Sequence, residues 1–322
     1  MRIGVVGAGA LGLTFAAALA RAHDVILLAR REDVAARILR DGVRVETTED
    51  GRAAAPARAS RTSGFAAEGV AVRATADPAD LFDRAACLIA VKAYATTDAV
   101  SPLRDVLSPG TLVATVQNGI DNGAAIASAL PHAVVLEAVT NQGAILLSDG
   151  RVRAVNNGTT VFGRRSRFAA PAGAGDAPGD RLASAFAEAG IDARAVDDIA
   201  PLLWRKLIAN AAINPLGALT GRANGAVLDD TDLAALARTL AAEAAAVAAA
   251  EGIDAGDPWS AVEAAARPTA SNRNSMLQDL DAGRRTEIDA IGGAILRRAR
   301  ERGIAVPLTE AVTRLVRARE RA

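Results

Sequence analysis

Cysteine and histidine are nearly missing from this chain of 322 residues, which holds one Cys (Cys87) and two His (His23 and His132). One cysteine excludes a disulfide framework, and three such side chains in all exclude a Cys/His metal cluster. Cys87 stands in Ala-Cys-Leu-Ile-Ala-Val and reads as a buried strand residue rather than a reactive thiol. This usage suits a cytoplasmic chain. An excess of charge is lacking too: Lys plus Arg and Asp plus Glu number 37 each. No global field therefore favours nucleic acid or an anionic membrane. Nor is there a convincing membrane span, because the Ala-rich stretch 233–250 carries Arg238 and Glu243 and reads as a soluble helix. Residues 1–20 mimic a secretory signal, but cleavage near Ala20 would discard a glycine pattern that fits its surroundings.

That pattern is Gly7-Ala8-Gly9-Ala10-Leu11-Gly12, preceded by the apolar run 2–6 and followed by an Ala/Leu-rich helical stretch to Arg21. Strand, Gly-x-Gly-x-x-Gly and helix form the context a dinucleotide site requires. Gly7 permits the tight turn, Gly9 lets the backbone approach a pyrophosphate, and Gly12 lets helix and strand pack closely. The helix N-terminus supplies free N–H groups and partial positive charge. The next strand, 24–29, ends in Arg30-Arg31, where an NAD site would place a ribose-binding acid. A guanidinium there offers a planar fork to a 2′-phosphate, so the spacing favours NADPH/NADP+ with Arg30 as the contact. Two solvated arginines at a strand end are the alternative.

Apolar runs at 87–91 and 111–116 suit a parallel sheet covered on both faces. Each is followed by a polar side chain, Lys92 and Asn118, at the edge where open α/β sheets bind ligands. Lys92 could meet a phosphate or ribose, or be an ordinary exposed lysine. Asn118 could hold the nicotinamide side or the substrate, or serve only the turn with Gly119. Further strands are expected at 43–47, 70–74, 134–139, 151–155, 159–163 and 193–196, with a helix at 180–189 and a surface loop at 169–179. Beyond residue 197 the period becomes helical, with helices expected at 199–219, 229–251, 257–265, 272–283, 286–302 and 307–319. The expected architecture is an α/β Rossmann-type dinucleotide-binding domain, residues 1–197, followed by an all-α substrate and catalytic domain, residues 198–322.

Within the helical half, Lys206, Asn210 and Asn214 are spaced i, i+4, i+8 among Leu207, Ile208, Ala211, Ala212 and Ile213. Each step of four advances about 40° around a helix, so the three share one stripe. An ammonium and two carboxamides in apolar surroundings need partners, from a packed helix or a small polar ligand. A second polar stretch runs Ser271-Asn272-Arg273-Asn274-Ser275-Met276-Leu277-Gln278-Asp279, then Arg284-Arg285-Thr286-Glu287-Ile288-Asp289. Ser271 or Asn272 could cap a helix, Thr286-Glu287 could open one, and the charge pairs could be solvated and minor.

Together these pieces resemble the ketopantoate reductase (2-dehydropantoate 2-reductase) family over nearly the whole chain. The resemblance rests on Gly7–Gly12, Val91-Lys92-Ala93, Asn118-Gly119, Trp204-Arg205-Lys206-Leu207 with Asn210 and Ile213-Asn214-Pro215-Leu216, Ser275–Asp279 and Thr286–Asp289. It extends to Arg297–Arg300 and Gly303–Pro307. It implies NADPH-dependent reduction of 2-dehydropantoate to (R)-pantoate, a step towards pantothenate and coenzyme A. Lys206 then matches the catalytic lysine and Glu287 its acidic partner. Asn210, Asn214 and Ser275 match substrate-binding positions, Asn118 a residue shared by cofactor and substrate, and Arg30 and Lys92 cofactor contacts. Two departures bear on the substrate's outer shape: a long segment between Gly42 and Asp80, and Thr140-Asn141-Gln142 where some members carry a histidine. A lysine acid must lose solvent to reach a useful pKa, and a nearby Glu287 opposes that drop. A buried Lys206–Glu287 pair that merely locks two helices remains open. So do a reductase of another small 2-oxo acid and an NADP(H)-sensing regulator without turnover, which needs no proton donor. The sequence leaves monomer and homodimer equally open.

Overall fold

The computed structural model describes residues 1–47, 69–156, 158–165 and 177–321. Most of the long segment after Gly42, and residues 169–176 of the expected surface loop, lie outside the described residues. The chain divides into two compact units, one of residues 1–117 and 122–199, the other of residues 118–121 and 200–322.

The first unit is α/β. Its strands are β1 (Arg2–Val6), β2 (Asp24–Leu28), β3 (Arg44–Thr47), β4 (Arg73–Thr75), β5 (Ala86–Ile89), β6 (Leu112–Thr115), β7 (Val134–Thr140), β8 (Gly143–Ser148), β9 (Arg151–Asn156), β10 (Thr160–Arg164) and β11 (Ala193–Asp198). Its helices are α1 (Ala10–Leu19), α2 (Glu32–Asp41), α3 (Thr96–Val100), α4 (Asn122–Ala129) and α5 (Pro178–Glu188). Eight strands form one sheet in the order β11-β10-β7-β6-β5-β1-β2-β4, with every neighbouring pair parallel except β7 and β10. Successive residues of β1 and β2 feed opposite cores. Val5, Val25 and Leu27 pack with Leu13 and Phe15 on one face; Val6, Ile26 and Leu28 pack with Leu103 and Ile126 on the other. That is why these strands read as continuous apolar runs instead of alternating ones. Cys87 lies in β5, buried, and the loss of solvent pushes its thiol up to about 12. It is a core side chain, not a nucleophile.

The strand order reverses at β1, which pairs with β2 on one side and β5 on the other. The carboxyl ends of β1 and β5 therefore flank the crevice where such sheets bind ligands. A smaller sheet, β3-β9-β8, adds a strand the sequence reading missed. β8 has half of its residues exposed and no alternation to mark it. The strand expected at 70–74 is shifted to β4, leaving Val70 in a single bridge to Val43.

The second unit is helical: α6 (Ala200–Thr220), α7 (Ala226–Asp229), α8 (Thr231–Ala250), α9 (Pro258–Ala266), α10 (Ser275–Asp281), α11 (Ile288–Glu301) and α12 (Pro307–Arg319). α6 is its axis, packing against α8, α9, α10, α11 and α12 and burying Trp204, Leu207, Ile208, Ala211 and Ala212. α8 is long and apolar enough to cross a membrane by length and composition. It buries Leu233, Ala237, Leu240, Ala244, Val247 and Ala248 against α6, α9 and α12, the spacing of one helical face. The helix expected at 229–251 is broken at Asp230, whose carboxylate caps α8 by accepting from the Asp232 and Leu233 amides. The expected caps Ser271 and Asn272 are not used. Asn274 caps α10, its carboxamide oxygen accepting from the Leu277 amide at 3.0 Å.

Among the described glycines of the first unit, Gly12 in the α1 turn has the least room for a side chain. A Cβ on Gly12 would stand 1.9 Å from the Gly7 carbonyl oxygen. Gly12→Ala is expected to cost about 3 kcal/mol, the upper end of ordinary overpacking, read as a lower urea midpoint.

Candidate active site

In the first unit the glycine turn is built from backbone. Gly7 has φ +112, a region closed to most side chains, and a Cβ there would come within 2.7 Å of Val91 Cγ1. Ala8, Gly9, Ala10 and Leu11 complete the turn into α1. Gly9 sits at the N-cap with no side-chain cap, and α1 has no acidic residue in its first turn. The first amides of the helix thus keep their donor capacity, and no carboxylate of their own neutralises them. A Cβ on Gly9 would meet nothing nearer than the Ala90 carbonyl oxygen at 3.9 Å. Gly7 and Gly12 are glycine for the fold, whereas Gly9 leaves open space beside free N–H groups. That space fits a diphosphate.

Around the turn, Arg31 is committed to Asp33 at 2.6 Å and to Asp149 at 3.0 Å. Arg30 is exposed and has no ion-pair partner among the described residues. Lys92 follows β5 directly after Val91 and is half-buried. Behind it lies a polar brace. The Gln117 carboxamide donates to the Val91 carbonyl and to the Thr96 hydroxyl, both at 2.8 Å, and accepts from Thr115 at 2.8 Å. Gln117 is 7% exposed, so these bonds fix the carboxyl ends of β5 and β6 from inside.

In the second unit the stripe on α6 is present and grades in depth. Lys206 and Asn210 are half-buried, and Asn214 is 7% exposed. Pro215 follows inside the helix and removes one ladder bond at the stripe's end. Lys206 keeps some accessible surface, yet its ammonium is desolvated enough to pull its pKa from 10.5 down to about 8; the charge of Glu287 opposes the drop. Desolvation wins. The difference corresponds to about 3 kcal/mol against the charged form.

Glu287, 8% exposed, stands at the N-cap of α11 but caps nothing. Its carboxylate instead accepts from the Asn118 carboxamide at 3.1 Å. The Asn118 oxygen in turn lies 3.5 Å from the Asn210 amide nitrogen, a long, weak hydrogen bond. Asn118 therefore does more than serve a turn: it joins Glu287 to the α6 stripe. Ser275 is exposed at the first position of α10. The pairs among Asp279, Arg284 and Arg285 are not all solvated, since Asp279 is 3% exposed and paired with Arg284 at 3.0 Å.

Two features escaped sequence reasoning. The Asn274 carboxamide nitrogen is buried without a hydrogen-bond partner among the described residues, and it lies where a Gly217 Cβ would approach within 2.3 Å. Gly217 thus makes room for Asn274 against α6. The second was countable: Lys92 and Lys206 are the only lysines, and every other cation of the 37 is arginine. Arginine does not deprotonate in proteins, so a group that must move a proton near neutral pH has to be something else. Lys206 is that exception in the helical unit.

Because Glu287 holds the Lys206 charge up, Glu287→Gln is expected to bring the pKa of Lys206 below 8. With only two lysines, 13C-methylation gives two lysine resonances beside the N-terminus, and their pH titration checks this. An unchanged midpoint would rule out the electrostatic contact.

Residues 3–167 match the family described as ketopantoate reductase PanE/ApbA, and residues 198–320 match its C-terminal counterpart. The 2-dehydropantoate 2-reductase of Halobacterium salinarum is 33% identical over 100% of this chain and 99% of its own. The crystal structure of a PanE/ApbA family ketopantoate reductase from Ralstonia eutropha JMP134 aligns with a TM-score of 0.84 at 32% identity, covering 100% of this chain and 99% of that one. The ternary structure of a D-mandelate dehydrogenase with NADH and anilino(oxo)acetate shares the fold, with a TM-score of 0.83 at 23% identity over 100% of this chain and 99% of that one. The glycine turn, the α6 stripe and the Asn118–Glu287 contact thus lie in a chain that belongs to the ketopantoate reductase family.

Proposed function

We propose that the protein reduces 2-dehydropantoate to (R)-pantoate with NADPH, using Lys206 as the general acid. One observation carries the assignment of Lys206: a desolvated ammonium with a pKa of about 8, beside a buried carboxylate and in line with two carboxamides on one helix, in a chain of this family. The backbone amides at Gly9–Gly12 hold the diphosphate of the cofactor, Arg30 receives its 2′-phosphate, and Lys92 contacts it beside the turn. The reduced nicotinamide, when bound, supplies the hydride. The residues of this chain do the remainder.

As the 2-oxo carbon gains a hydride, the carbonyl π electrons move to oxygen and leave an alkoxide. Lys206 Nζ hands that oxygen a proton, becoming a neutral amine that solvent reprotonates. Glu287 keeps the ammonium charged and directed, and Asn118 fixes Glu287. Asn210, Asn214 and Ser275 donate hydrogen bonds to the carboxylate and hydroxyl of the substrate, with Asn118 shared between cofactor and substrate. A cytoplasmic location and a small 2-oxo acid as the partner complete the reading.

Purified protein assayed with ketopantoate and a panel of other 2-oxo acids, NADPH beside NADH, tests it. Absence of NADPH consumption by the folded protein with ketopantoate would remove the proposal, and a better kcat/KM on another oxo acid would replace the substrate. Lys206→Ala is expected to lower kcat by roughly 10²- to 10⁴-fold with NADPH affinity nearly unchanged. In the wild type, kcat/KM should be flat below about pH 8 and fall above it, since the protonated lysine is the active form of the free enzyme. Arg30→Ala is expected to weaken NADPH binding roughly tenfold, the loss of one charge-assisted contact, and to leave NADH binding unaltered. Titration calorimetry with both coenzymes separates the two.

A further inference from the structure

Asn118 meets Glu287 where residues 118–121 lie along α11, and the segment is held there at several points. Gly119 has φ +96 and packs against α11 so closely that a Cβ would come within 2.7 Å of the Ala290 carbonyl oxygen. Three residues after Asn118, Asp121 places one carboxylate oxygen 2.6 Å from Arg297 and the other 2.5 Å from Arg298. Arg298 is itself nearly buried, with its side chain 10% exposed, and is backed by Glu251 at 3.2 Å. Arg302 reaches the same Glu251 oxygen at 3.2 Å, so the row Asp121, Arg298, Glu251, Arg302 alternates in charge.

An exposed single ion pair would contribute little. Here one carboxylate is divided between two guanidiniums, one of them nearly out of solvent. Burial opposes ionisation of Asp121, yet Arg298 and Arg297 hold its pKa below the ordinary value.

We infer that Asp121 is a positioning residue that, through Arg297 and Arg298, holds the Asn118 carboxamide on the Glu287 carboxylate. The inference rests on the assignment of Lys206 and Glu287 to proton transfer. Without the clamp, the segment pivots at Gly119 and Asn118 loses its station, so Glu287 is less firmly held against the ammonium it supports.

The test is the Lys206 titration followed by 13C-methyl resonances, with turnover as a second readout. In Asp121→Asn the midpoint is expected to fall by about 0.5 pH, and kcat/KM for ketopantoate by roughly tenfold, with the thermal midpoint within a few degrees of wild type. In an Asn118→Ala background the same Asp121→Asn change should alter either value little, because a residue acting through Asn118 has nothing left to position. An unmoved Lys206 midpoint in Asp121→Asn, or an equal displacement in both backgrounds, overturns the inference. Should Asp121→Asn fail to fold, Arg297→Gln removes the exposed half of the clamp, leaves Arg298 with Glu251, and enters the same cycle with the same criteria. Wild-type protein inactive on every oxo acid would count against the proposed function instead, while the titration still decides the role of Asp121.

Discussion

Keeping an ammonium on α6 out of water is the constraint on which the helical unit depends. The net cost to the charged form, with the attraction of Glu287 already included, is about 3 kcal/mol, a large share of the 5–15 kcal/mol by which a typical domain is stable. It is tolerated because α6 carries it on one stripe and buries Trp204, Leu207, Ile208, Ala211 and Ala212 on its other faces. Glu287 offsets part of the penalty without cancelling it. Complete compensation would restore the lysine to its ordinary pKa near 10.5 and make it a poor proton donor at neutral pH. Without compensation its pKa would fall below 8. The intermediate outcome requires both a dry helix and a carboxylate held at a controlled station.

The two units solve different problems with different materials. The nucleotide turn is made from the backbone. Gly7 and Gly12 are fixed by steric necessity and Gly9 by the space it leaves, so in the proposed binding mode side-chain chemistry enters only at the edges, through Arg30 and Lys92. In the proposed reaction the helical unit is the reverse: regular backbone, with the chemistry assigned to side chains that interrupt its apolar faces. An arginine in place of Lys206 would keep the charge but not the mobile proton. In a chain whose other cations, Lys92 apart, are all arginine, that distinction singles out position 206.

What the sequence made legible follows from range. The glycine turn is local, so six residues between a strand and a helix suffice to read it. The α6 stripe is likewise local, because helical period alone aligns residues four apart. The Rossmann-type architecture and its helical partner follow from continuous apolar runs giving way to a 3.6-residue period. Asn118 and Glu287 are 169 residues apart, and neither propensity nor period speaks to such a contact; only the family resemblance placed both in one site. β8 was missed because its exposed half shows no alternation. Three polar residues precede Asn274, and only packing against Gly217 and α6 decides which of them starts α10.

The choice of neutral carboxamides around Lys206 has an electrostatic reason within the proposed reaction. An anionic substrate needs donors, and lysine or arginine would be the stronger ones. Another cation beside Lys206, however, would push its pKa further down and disarm it at neutral pH. Asn118, Asn210 and Asn214 donate without changing the local charge. The carboxylate of an arriving 2-oxo acid then acts in the same direction as Glu287, raising the pKa of the ammonium as the substrate binds. The acid is thus most fully protonated when there is a substrate to receive its proton. As the alkoxide forms, a further negative charge strengthens the attraction until the proton crosses. Neutral donors and the supporting Glu287 carboxylate let the substrate complete the electrostatics of the proposed site.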